Sequence, residues 1–237
     1  RLSPAVWQGA WLRWRQWPAL LRLLSLNRDI FVRSLCLQLC FAFMTLQGAR
    51  LGDVAVAANA VLLNFLMLIS YGLDGFAYAV EAMVGRAIGR RDRQGLREAI
   101  VLNLGWALLI AIAFALGFAM GGRQLIAHIT DIPAVIAEAN RQLPWLIAMP
   151  LLAVWCFLLD GVFIGATRAR EMRNSMLVAV FAGFFPIWWL CQGWGVAALW
   201  AAMSALMAGR GLTLGWLCWR LERDGRLLAG QGTAQSV

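Results

Sequence analysis

Four ionisable side chains lie inside long apolar runs: Asp74, Glu81, Asp160 and Arg210. An ionised group is costly in hydrocarbon, so such residues face a bundle interior or a wet cavity and mark the path of an ion or a substrate. A carboxyl group in that setting can load and release a proton or hold a small cation. One arginine can neutralise one carboxylate, and such a pair alone would be fixed glue. With two deep acids and one deep cation, one acid is left over. Asp74 and Asp160 are therefore the candidate coupling residues, Glu81 a third nearer the edge of its run, and Arg210 their charge partner.

Residues 54–90 hold two of these acids, and Gly72 and Gly75 stand on either side of Asp74. Tyr71, Phe76 and Tyr78 flank the same carboxylate. Aromatic rings beside an acid suit a cavity for cationic or amphipathic organic molecules. Packing against neighbouring helices is the competing reading. Gln38, Asn64, Tyr71 and Tyr78 are the candidate cavity-lining residues.

The elements that must carry these residues are membrane helices. The chain has 237 residues, 62% of them hydrophobic and 14% charged, with a mean hydropathy of +0.70. A soluble domain averages about 25% charged residues. Six spans are expected, near 30–48, 54–83, 99–120, 143–166, 175–190 and 196–219, since about 20 apolar residues cross a bilayer core. Gly121-Gly122 should end the third, and residues 123–142 should form a short surface helix with Asp131 as N-cap and Pro133 in its first turn. Pro150 should kink the fourth span. Residues 1–28 read as an amphipathic basic linker or interfacial helix, with Trp7, Trp11 and Trp14 at spacings of four and three, broken by Pro18. Residues 29–222 form the six-span unit, and 223–237 a disordered tail.

All 21 basic residues are arginine. With six spans, 17 of the 21 fall on the side shared by the two termini, Arg33 among them as a residue close enough to its helix end to snorkel. The positive-inside rule then places both termini in the cytoplasm. Counted from those loops at ~1.5 Å per residue, Asp74 lies about 18 Å deep, Arg210 about 15 Å, Asp160 about 12 Å and Glu81 about 7 Å. Three charges at similar depth on three spans are what one polar cluster requires. Glu81 has Arg86 and Arg90 as candidate partners.

Other chemistry finds little support. The five cysteines lie in apolar runs, and Cys36 and Cys40 share a face without a histidine or carboxylate beside them, so no metal site is expected. His128, the one histidine, reads as a solvated interfacial residue. No phosphate loop, catalytic constellation or resident cofactor is expected, nor a nucleic-acid partner: the arginines sit between apolar runs. The chain opens on Arg1 without a signal-like segment, which is expected of a piece of a longer protein.

Several stretches are similar to one family. LNRDIFVRSLCLQLCF at 26–41, YGLDGFAYAVEAMVGRAIGRRD at 71–92, TDIPAVIAEANRQLPWL at 130–146, WCFLLDGVFIGATRAREMRNSM at 155–176 and AGRGLTL at 208–214 resemble the C-terminal half of multidrug and toxic compound extrusion (MATE) transporters of the DinF-like branch. The resemblance covers about 20–225. It implies an all-α, six-helix lobe equivalent to helices seven to twelve, paired with an N-terminal six-helix lobe around a central cavity. It also implies export of small organic compounds across the inner membrane, coupled to protons or sodium. Asp160 falls where many members carry an acid of their cation site. Gln38 stands nearest to a glutamate that many members carry in the seventh helix, so proton coupling is favoured over sodium. Flipping of lipid-linked substrates and a non-transporting assembly role are the alternatives. Having only Arg210 deep in the membrane argues against the first.

Overall fold

A computed structural model describes residues 17–228. Among them every regular element is helical: α1 (Trp17–Arg50), α2 (Asp53–Gly89), α3 (Arg93–Ile129), α4 (Pro133–Gly165), α5 (Ala169–Val178), a π segment (Ala179–Phe184), α6 (Phe185–Leu190) and α7 (Val196–Arg223). Among the described residues six stretches are long and apolar enough to cross a membrane, the fifth being Ala169–Leu190, which combines α5, the π segment and α6. The chain is a multi-pass membrane protein. The interfacial reading of Trp7, Trp11 and Trp14 and the end of the tail lie outside the described residues.

Several boundaries differ from the sequence expectations. Residues 123–142 form no separate surface helix. Instead α3 runs through Gly121-Gly122 to Ile129, and α4 begins at Pro133 after a three-residue break. Glycine in a helix costs only about 1 kcal/mol, which flanking helical residues override. Pro133 does open a helix, but Ile132 rather than Asp131 occupies the cap position, with no side-chain bond. Pro18 lies in α1 at the edge of the described residues, and the helix it was expected to break lies outside them. The tail is not wholly loose: Leu227 is buried, and Arg168 donates to the Arg226 carbonyl at 2.6 Å.

The three turns at the end of the bundle that carries the described termini share one device. After α2, α4 and α7 the chain takes a left-handed residue, Arg91, Thr167 and Gly225 respectively. In each the following N–H reaches back five residues: Asp92 to Ala87, Arg168 to Phe163 and Arg226 to Leu221, at 2.8–2.9 Å. These are helix-ending motifs that satisfy otherwise orphaned carbonyls. Asp92 then caps α3 by accepting from the Gly95 N–H at 2.9 Å.

At the centre, α4 packs on α2 through Gly161 and Gly165. A Cβ at Gly161 would strike the Ala77 carbonyl oxygen, and one at Gly165 would come within 2.5 Å of the Glu81 carbonyl oxygen. Small residues spaced by four let two membrane helices approach backbone to backbone. Asp160, next to Gly161, is thereby pressed against the stretch of α2 that carries Asp74. By contrast α1 is peripheral. Only 17% of its span window is buried, against 61% for those of α4 and α7. Phe43 of α1 docks edge-on among Phe184, Phe185 and Trp188 at centroid distances of 5.8, 5.4 and 4.8 Å. The wide π turn presents the adjacent residues Phe184 and Phe185 to the same ring.

Candidate functional site

The helical periodicity of α2 places Met67, Tyr71, Asp74, Tyr78 and Glu81 along one stripe. That stripe forms one wall of a cavity of about 300 Å³. Facing it are Arg33, Ser34 and Gln38 from α1, Asp160 and Phe157 from α4, and Arg210 from α7. The three deep charges read from the sequence therefore do meet in one place. Gln38, Tyr71 and Tyr78 line this cavity. Asn64 does not; it is one turn further along the α2 stripe, and its amide donates to its own helix at Ala60 O, 3.1 Å.

Asp160 is the centre of the cluster. One carboxylate oxygen, Oδ2, accepts from both Arg33 Nη1 and Arg210 Nη2, so three helices converge on a single atom. Its Oδ1 is buried without a partner among the described residues. Arg210 is buried as well, and its other guanidinium nitrogen points to the Met207 sulfur at 3.8 Å.

Arg33 corrects the sequence reading. It does not snorkel to the interface but pairs with Asp160 from a half-buried position. The cluster therefore holds two cations against Asp160 and Asp74, not one. Asp74 makes no ion pair among the described residues, although the charges of Arg33, Asp160 and Arg210 all act on it. Glu81 likewise pairs with neither Arg86 nor Arg90, and lies at the cavity edge. The acid left over is thus Asp74 or Glu81, while Asp160 is the one held.

A second buried carboxylate escaped the sequence reading. Asp29, only 2% exposed, accepts from Arg173 at 2.7 Å and Arg28 at 3.3 Å, with Arg170 at 3.9 Å. It ties the base of α1 to the start of α5. Other arginines at this end of the bundle are engaged too: Arg97 with Glu222, and Arg168 with Glu171 at 2.7 Å. His128 bonds its own helix at Gln124 O, 2.8 Å. No group of three or more metal-ligating side chains occurs among the described residues.

Comparison with known proteins places this geometry. The MatE family model matches residues 30–190. The chain belongs to the MatE family. It is 46% identical over 209 residues to the DNA damage-inducible protein F of Escherichia coli K12, covering 88% of this chain and 45% of that protein. A probable multidrug resistance protein NorM of Rhizobium meliloti is 26% identical over 226 residues, covering 89% of this chain and 47% of that one. Among solved structures, a MOP superfamily transporter from Pyrococcus furiosus superposes with a TM-score of 0.77 at 18% identity, over 86% of this chain and 45% of that one. This MatE chain thus spans about half the length of the curated relatives it matches. Its six-helix bundle corresponds to one lobe of such a fold.

Proposed function

We propose that this chain acts as one lobe of a proton-driven exporter of organic, cationic or amphipathic compounds. A six-helix N-terminal lobe would complete the cavity, and both termini would face the cytoplasm. The observation that carries the reading is the unequal treatment of two neighbouring acids. Asp160 is clamped by Arg33 and Arg210, while Asp74 stands in the same cavity with no ion-pair partner among the described residues.

The asymmetry supplies a coupling mechanism. Ionised Asp74 competes with Asp160 for the guanidinium of Arg33. Protonated Asp74 releases that claim and returns Arg33 to Asp160. Since Arg33 sits on the least-buried span, the proton alters how firmly α1 is held to α4. Two packings of one lobe against the other would thereby gain different affinities for the proton, which is what alternating access needs. The aromatic and carboxylate lining contributed by Tyr71, Tyr78 and Glu81 suits an organic cation.

The test is efflux in inverted membrane vesicles carrying the protein as its natural gene encodes it. Asp74→Asn should abolish dye transport driven by an imposed pH gradient, with the amount of folded protein unchanged. Full gradient-driven efflux by Asp74→Asn would remove the basis of this reading. Arg33 also gives the lipid-linked alternative a second cation in the cavity, although both guanidinium groups are engaged by Asp160. Competition by anionic lipid-linked compounds, without competition by organic cations, would favour that alternative.

A further inference from the structure

Half of the orphaned buried side-chain atoms among the described residues fall on two facing stripes. They are Gln142 Oε1 and Asp160 Oδ1 on α4, and Trp200 Nε1 and Ser204 Oγ on α7. All four residues are at least nine-tenths buried. On α4, residues 142, 146, 149, 153, 156 and 160 recur at four and three and share one face. On α7, residues 196, 200, 204, 207 and 211 do the same. The two faces meet: Cys156 Sγ lies 3.6 Å from Met207 Sδ, a Cβ at Gly211 would lie 3.1 Å from Trp155 Cβ, and Arg210 bonds Asp160. Trp200 and Ser204 therefore face α4 by helical periodicity.

Both stripes begin at a second cavity, at the end of the bundle opposite the described termini. It holds about 440 Å³ and is lined by Glu138, Arg141, Gln142 and Trp145 of α4 with Trp194 and Val196. Glu138 accepts from Arg141 and from the Gln142 amide nitrogen, each at 2.9 Å, which leaves the Gln142 carbonyl oxygen aimed elsewhere.

We propose that a file of bound waters runs between α4 and α7 from this cavity to the Asp160–Arg210 pair and delivers protons to it. This deepens the proton-coupled reading and rests on it. A buried donor or acceptor without a protein partner costs about 1–3 kcal/mol, and an internal water bonded to two or more such groups relieves the cost. Along α7 the rise is about 6 Å from Trp200 to Ser204 and about 9 Å from Ser204 to Arg210. One water with two bonds of ~2.8 Å spans the first gap, and two span the second. Helical side chains lean toward the N-terminus, so the Trp200 indole reaches back toward the cavity. In the register set by Cys156 and Met207, Ser204 falls level with Ala153, whose side chain is a single methyl group, and Met149 and Met207 are unbranched and can yield space.

The proton is taken from bulk water near Glu138, passes by O–H exchange from water to water and through the Ser204 hydroxyl, and ends on a carboxylate oxygen; the Trp200 N–H, which cannot accept a proton, only donates to the file and holds it in place. At the receiving end the facing groups are Arg33 from α1, Asp74 and Glu81 from α2, the Cys156 thiol beside Asp160 on α4, and Arg210 from α7.

Hydroxyl-radical footprinting of the membrane-embedded protein tests the file directly, because radicals formed from bound water oxidise the side chains beside it. Trp200 and Met207 should be oxidised several-fold faster than Met44 and Met176, which are equally buried but off the file. Ser204→Ala should slow Met207 oxidation and slow pH-gradient-driven proton uptake in proteoliposomes, and Ser204→Thr, which keeps the hydroxyl, should restore both. Equal oxidation of Met207 and Met44 overturns the proposal. So does unchanged proton uptake in both Ser204→Ala and Trp200→Phe. A dry interface would leave the Asp74 result standing, so the two readings fail separately.

Discussion

Asp29 and Asp160 are two buried carboxylates, each gripped by arginines, and they differ in what surrounds the grip. Asp29 joins α1 to the start of α5, and two of its three arginine partners, Arg28 and Arg170, keep more than half of their side-chain surface exposed. Asp160 joins three membrane spans at one oxygen, and its partner Arg210 has a side chain only 3% exposed. Beside Asp160 lie a cavity, a second acid without an ion pair and an orphaned oxygen. The ion-pair partners of Asp29 among the described residues are Arg28, Arg170 and Arg173, with no second acid among them. Burial and pairing are common to both; on the proposed reading, access to a cavity and a competing acid are what set Asp160 apart.

The comparison predicts a ranking of effects. Asp160→Ala should do most damage, about 3–5 kcal/mol, because it strands Arg210 as an uncompensated buried charge. Thermal unfolding of the purified protein should show it, and a melting curve unchanged from the parent would contradict the pairing. Gly161→Ala should come next, at about 1–3 kcal/mol, since the new methyl meets the Ala77 carbonyl and backbone cannot step aside. It should also weaken efflux, by moving Asp160 away from Asp74. Asp29→Asn should cost about 1 kcal/mol or less, as its exposed arginines regain water. Efflux should persist, and losing it would erase the distinction drawn between the two acids. Smallest of all, Thr167→Gly should stabilise by under about 1 kcal/mol, relieving a β-branched residue held at φ 57°. A fall in melting temperature would show that the Thr167 side chain makes an interaction outweighing that strain.

Much of this was legible in the sequence for a physical reason. Apolar runs long enough to cross a bilayer mark the spans, and an ion inside such a run must find company. Asp74, Asp160 and Arg210 were therefore brought together on paper by depth alone. Arg33 was not, because depth along one helix says nothing of tilt or of reach between helices. Its helix extends well before the apolar run that begins at Ile30, so it read as an end residue. Asp29 was hidden similarly: an acid among loop arginines reads as solvated, and only packing shows it at 2% exposure. The segment 123–142 was misread because paired glycines and scattered polar residues mimic a break that neighbouring turns carry across.

The wide turn at Ala179–Phe184 has a geometric corollary. Each α-helical residue advances the azimuth by about 100°. The wide turn already absorbs one extra residue, so removing a residue there would let it close as ordinary helix with Trp188 still against Phe43. Removing Ile187, where the helix has no such slack, would instead rotate Trp188 by about that angle and carry it off the ring, with no change in hydropathy to announce it. Of two single-codon deletions, the second would thus unhook the upper half of α1 while leaving its charges in place, and the first would not.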